Sequence, residues 1–89
     1  MMIEKIGTPA MLEQLAEEAA ELSQAALKLA RVLRGENPTP VTQEEAEKHL
    51  NEEYTDVYLC AYELLLPVDW NQIAEKSERF RKRWEEKER

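Results

Sequence analysis

The chain has 89 residues, a single cysteine and a formal net charge of −7, with 43% hydrophobic and 35% charged residues. That length makes one domain, residues 1–89, with a small core; Cys60 has no disulfide partner in the chain, so oligomerisation is the expected source of extra stability. An acidic chain is a poor match for nucleic acid, and neither a signal-type h-region nor a membrane-length apolar run occurs, so we expect a soluble cytoplasmic protein that collects cations.

Thr8 is a good helix N-cap and Pro9 a good first helical residue, since the missing proline N–H would have had no partner there. Apolar residues then recur at 12, 15, 19, 22, 26, 29 and 33, steps of three and four that predict a helix over about 9–34. Gly35 supplies the left-handed stop. The stretch GENPTPVT is the one real loop, where Pro38 and Pro40 bias Asn37 and Thr39 away from helix. Thr42 followed by Glu45 is a capping-box pattern and opens a second helix, about 43–65, with apolar slots at Ala46, Leu50, Val57, Cys60 and Leu64 and Pro67 as its close. Asp69 followed by Gln72 caps a third, about 70–87, carrying Ile73, Phe80 and Trp84 on one face.

No strand pattern, glycine-rich loop or repeat competes with these elements. The fold class is therefore all-α, a small antiparallel bundle of three main helices. The first helix has apolar residues on two faces, Leu12, Leu15 and Leu22 against Met11, Ala25 and Val32, so it needs a partner surface.

Charge divides along the same lines. Residues 1–75 hold 15 acids against 5 bases, a balance of −10, whereas residues 76–89 hold 4 against 7, a balance of +3. The basic end suits phosphate or a solvated helix terminus.

The second helix has one discordant slot. Its register runs 46, 50, 53, 57, 60, 64, and Glu53 is the acid in that apolar seam, where an unpaired charge costs several kcal/mol. Asp56, three residues on, shares its face. In the first helix Glu18 takes a slot whose seven-residue equivalents are Met11, Ala25 and Val32, and Glu21 follows three residues later. Taken singly, Glu17, Glu18 and Glu21 read as solvated-face residues. As two i, i+3 pairs on antiparallel helices they can converge, and all-oxygen ligands of this kind select a hard cation, Mg²⁺ or Mn²⁺, with Ca²⁺ as an alternative inhibitor or structural ion. A di-iron site would need Glu-x-x-His pairs. His49 is the sole histidine and lacks that spacing, so it fits the rim of the site or a place behind the ligands.

The stretches EEAAE, from Glu17 to Glu21, and EYTD, from Glu53 to Asp56, resemble the EExxE…ExxD signature of the MazG-type all-α nucleoside triphosphate pyrophosphohydrolases, a similarity that covers most of the chain. The resemblance implies Mg²⁺, with Mn²⁺ able to substitute, held by Glu18, Glu21, Glu53 and Asp56. Glu17 and Glu18 would be the catalytic acids, Glu17 orienting or deprotonating the attacking water. It implies cleavage of a nucleotide between its α- and β-phosphates to a monophosphate and pyrophosphate. Lys76 and Arg83 match basic positions of the family's following helix, with Arg79 a further phosphate candidate. Phe80 stands where an asparagine is often found. Trp70, Tyr54 and Tyr58 are available to stack on a base. Members of the group assemble as homodimers or homotetramers. The alternative is a non-catalytic helical module of the same fold that oligomerises or binds a partner.

Overall fold

Four helices follow one another in the computed structural model of the chain, which describes residues 1–36 and 40–88. They are α1 (Ile3–Ile6), α2 (Thr8–Arg34), α3 (Gln43–Glu63) and α4 (Trp70–Lys87). The three long ones match the expected elements closely, and no strand occurs among the described residues.

The one-turn α1 was not expected. It ends at Gly7, whose φ of +89° is a conformation that suits glycine. That turn changes how α2 begins. Thr8 is already helical, and Gly7 holds the cap position without any side-chain cap bond, the Gly7 carbonyl accepting from Met11 N–H at 3.1 Å. The expected Thr8 cap is thus corrected, because the chain enters α2 from another helical turn rather than from extended backbone.

At the far end Gly35 is left-handed, at φ 72°. The Gly35 and Glu36 N–H groups donate to the Val32 and Arg31 carbonyls at 3.1 and 2.9 Å, satisfying the last turn's acceptors. The stiffening expected at Asn37, Pro38 and Thr39 lies outside the described residues. Thr42 Oγ1 accepts from Glu45 N–H at 3.1 Å, and Asp69 Oδ1 from Gln72 N–H at 3.0 Å, as the caps of α3 and α4.

The close of α3 comes earlier than Pro67 implied. The helix stops at Glu63, and Leu65 takes a left-handed φ of 54°, an uncommon conformation for a branched residue. Leu65 and Leu66 N–H groups return to the Tyr62 and Ala61 carbonyls, both at 3.0 Å. Pro67 therefore follows a helix end already made by the backbone.

α2 and α3 pack along each other as an antiparallel hairpin. Met11 near the start of α2 shares a cleft with Cys60 near the end of α3, whereas Arg31 shares one with His49. On α3 the expected seam holds: Ala46 and Cys60 are buried, and Leu50, Glu53, Val57 and Leu64 half-buried. On α2 the seam is displaced by one residue from the expected stripe. Met11 and Ala25 are buried, with Glu18 and Val32 half-buried on the same seven-residue line. Of the expected stripe, Leu15, Leu22 and Leu29 are half-buried while Leu12, Ala19, Ala26 and Leu33 face solvent. Both apolar lines exist on α2; α3 sits on the one that contains the acid.

The bundle itself is not closed within one chain. α4 packs appreciably against none of the other helices, and every described residue from Leu65 to Glu88 is exposed. The Cα radius of gyration is 16.8 Å, against about 12 Å for a compact chain of this length. Ile73, Phe80 and Trp84 do share a face, Phe80 and Trp84 meeting edge to face with centroids 6.2 Å apart, but that face lies open. No helix among the described residues is long and apolar enough to cross a membrane.

Candidate metal centre

Three carboxylates meet across the hairpin. One oxygen each from Glu18 of α2 and Glu53 and Asp56 of α3 lie within 4.8 Å of one another. Register explains the meeting. Glu18 sits on the α2 line that seats α3, Glu53 on the α3 seam that seats α2, and Asp56 one turn further on, at the exposed margin. At an effective dielectric of about 20, two full charges at such a distance repel by roughly 3 kcal/mol. Exposure of Asp56 softens its share.

The two seam acids differ in how they are held. Gln14 Nε2 donates to Glu18 Oε1 at 2.8 Å, one turn earlier on α2. His49 Nδ1 approaches Glu53 Oε1 at 3.8 Å, one turn earlier on α3. Glu18 therefore has one oxygen hydrogen-bonded by its own helix, whereas Glu53 has only the imidazole nearby. The other oxygen of each, Glu18 Oε2 and Glu53 Oε2, is buried with no hydrogen-bond partner among the described residues. Buried polar atoms of this kind are rare unless something outside the protein chain completes them. An all-oxygen donor set, partly shielded and poor in internal donors, suits a hard dication such as Mg²⁺ or Mn²⁺.

The other expected site residues lie elsewhere. Glu21 is exposed and stands outside the convergent group, lining instead a hollow of about 560 Å³ that it shares with Glu53 and His49. Glu17 is also exposed, beside Glu18 but on the solvent side. Lys76, Arg79 and Arg83, with Lys82, surround a basic hollow on α4. Arg81 is engaged with Glu78 and Glu85 at 2.6 and 2.7 Å, and the hydrogen bond to Glu78 raises its pKa further. α4 packs appreciably on neither hairpin helix, and this basic group and the carboxylates line separate hollows. Tyr54, Tyr58 and Trp70 are exposed, and none of them lines a cleft that the carboxylates line.

One acid escaped the sequence reading. Glu63 is buried, at 8% exposure, and its Oε1 accepts the Ile3 N–H at 3.0 Å, fastening α1 to the end of α3. Its signal was the seven-residue step from Asp56, which places both on one face with Cys60 between them. Burial, then the charges of Glu18, Asp56 and Glu63, push the Cys60 thiol above its ordinary pKa of 9.0.

Compared with models of known protein families, with curated proteins and with solved structures, the chain matches none.

Proposed function

We propose that the chain is a Mg²⁺-dependent nucleotide pyrophosphohydrolase of the MazG-like kind, cleaving a ribo- or deoxyribonucleoside triphosphate between its α- and β-phosphates. The observation that carries this reading is the meeting of Glu18, Glu53 and Asp56, two of them with a buried oxygen lacking a partner. The order and spacing of the two acidic motifs support it independently. Glu18, Glu53 and Asp56 hold the ion, and Glu21 stands one turn away to extend the set. Mg²⁺ bound there supplies phosphate neutralisation and a water of lowered pKa. Gln14 fixes the Glu18 carboxylate by its hydrogen bond, so that this ligand is aimed before the substrate arrives, and His49 stands beside Glu53. Glu17, at the solvent side of Glu18, takes the proton of the attacking water. Water adds to the α-phosphorus, the bond to the bridging oxygen breaks, and monophosphate and pyrophosphate leave. Lys76, Arg79 and Arg83 bind the phosphate tail from the α4 of a second copy, a placement supported by the lack of appreciable packing of α4 on its own hairpin.

The test is pyrophosphate release from a panel of nucleotides with Mg²⁺. Glu18→Gln and Glu53→Gln are each expected to lower the rate roughly a hundredfold or more. Full activity in both variants ends the reading.

A second reading is favoured by one observation, the extent of open apolar surface on α2 and α4, including Leu33, Phe80 and Trp84. On this reading the chain is a non-catalytic helical module that associates with itself or with a partner. Such a module gains no specific thermal stability from Mg²⁺ or Mn²⁺, whereas a filled carboxylate site does, by mass action.

A further inference from the structure

A cleft of about 480 Å³ opens between α1, α2 and α3. Its apolar walls include Met2, just ahead of α1, Ile6 of α1, Met11 of α2 and Leu59 of α3, and Glu18 and Asp56 are among its polar lining. The volume lies within the range of small-molecule sites, about 300–1,000 Å³. No lysine or arginine lines it. A bare polyphosphate would therefore meet only negative charge there, and the cleft suits the uncharged end of a substrate.

We propose that this cleft seats the base of the nucleotide, a proposal that rests on the pyrophosphohydrolase reading. Continuity is the first argument. Glu18 and Asp56 belong both to the cleft and to the carboxylate group, so a molecule lying in the cleft ends at the reacting phosphates. Chemistry of the walls is the second. Methionine and branched aliphatic side chains cover the faces of a flat ring and adapt to its outline. Glu63 also lines the cleft, and a carboxylate only accepts hydrogen bonds, which suits a ring edge that carries N–H or amino donors. Construction of the cleft is the third. The segment of Met2 and α1 contributes two wall residues, and the bond from Ile3 N–H to Glu63 Oε1, at 3.0 Å, holds it in place across the hairpin. The base thus lies against aliphatic walls, and Tyr54, Tyr58 and Trp70 are left for other contacts.

Cys60 lines the same cleft and is the chain's only cysteine, so it reports occupancy without any turnover. The full-length protein is mixed with Mg²⁺ and α,β-methylene analogues of the common nucleoside triphosphates, and the rate of Cys60 with a disulfide reagent is followed. Tripolyphosphate with Mg²⁺ is the control that lacks a base. At ten times Kd, a seated analogue slows the reaction about tenfold, and tripolyphosphate leaves it within about twofold. Ile6→Trp and Leu59→Trp, which fill the cleft at exposed wall positions, each abolish that protection. Each also raises KM about tenfold, with a much smaller change in kcat.

Mg²⁺-dependent hydrolysis with Cys60 equally reactive in the presence and absence of every analogue overturns the proposal. So does protection by tripolyphosphate equal to that by nucleotide, or an unchanged KM in both variants. Protection by a nucleotide without pyrophosphate release upholds the cleft as a nucleotide site and overturns the hydrolase reading instead. Absence of both protection and release overturns both.

Discussion

At the level of single residues, the chain keeps two carboxylates where its own packing pattern calls for aliphatic side chains. Glu18 and Glu53 each sit in a seam otherwise built of Met, Ala, Leu, Val and Cys. Glu53→Gln removes one charge from the group while keeping the shape. In EDTA its melting midpoint is expected to equal or exceed that of the parent, because repulsion falls. The parent alone is expected to gain stability on adding Mg²⁺ or Mn²⁺, about 2.7 kcal/mol at a hundred times Kd, read by thermal melts. A variant that gains as much as the parent would separate Glu53 from the ion.

Cys60 gives a pH dependence whose sign is fixed. Its thiol pKa is raised on folding, so its contribution to stability is complete below the ordinary value of 9.0 and is lost as pH rises through the folded value. Urea unfolding at pH 8 and pH 10 should show an alkaline loss that is smaller in Cys60→Ser.

Single helices were the most legible part of the sequence. Caps at Thr42, Asp69 and Gly35 depend on residues within a few positions, and all three hold. Thr42→Ala is expected to cost about 1 kcal/mol in chemical denaturation. Leu65 is the reverse case, a side chain in a left-handed site. Leu65→Gly should stabilise the chain by about 0.5–1 kcal/mol, since strain there exceeds the added flexibility of glycine. Neither that turn nor α1 could be read from spacing. The turn is set by backbone bonds to Tyr62 and Ala61, and α1 by a carboxylate sixty residues away. The register of α2 was ambiguous for a related reason. Two adjacent apolar lines are equally good helical stripes, and the choice is made by α3, which brings its own acids to the line holding Glu18. Glu53 stood out as the acid in an otherwise apolar seam with Asp56 one turn on, and Glu21, exposed, lines a hollow with Glu53 rather than joining the three converging carboxylates.

For the molecule as a whole, the one-chain core is small. The buried hydrophobic residues are Met11, Ala25, Ala46 and Cys60, and among the described residues none of the large side chains is fully enclosed. Apolar area of this extent left in water points to association between copies. Light scattering is expected to give a mass that is a multiple of 10.4 kDa. A double variant, Leu33→Glu with Trp84→Glu, is expected to move it toward one unit. In such an assembly the charge division between residues 1–75 and 76–89 would favour basic α4 segments beside acidic hairpins. Which surfaces are apolar can be read from residue order, but α4, which packs appreciably on no other helix, has no resting place that residue order could give.

The bond between Ile3 and Glu63 has an outcome for biosynthesis. Translation makes the amide donor long before its acceptor, so the segment ahead of Gly7 stays unanchored while both arms of the hairpin are being produced. Its two wall residues settle only after α3 has emerged nearly whole, and the cleft is thus among the last features of a nascent molecule to form.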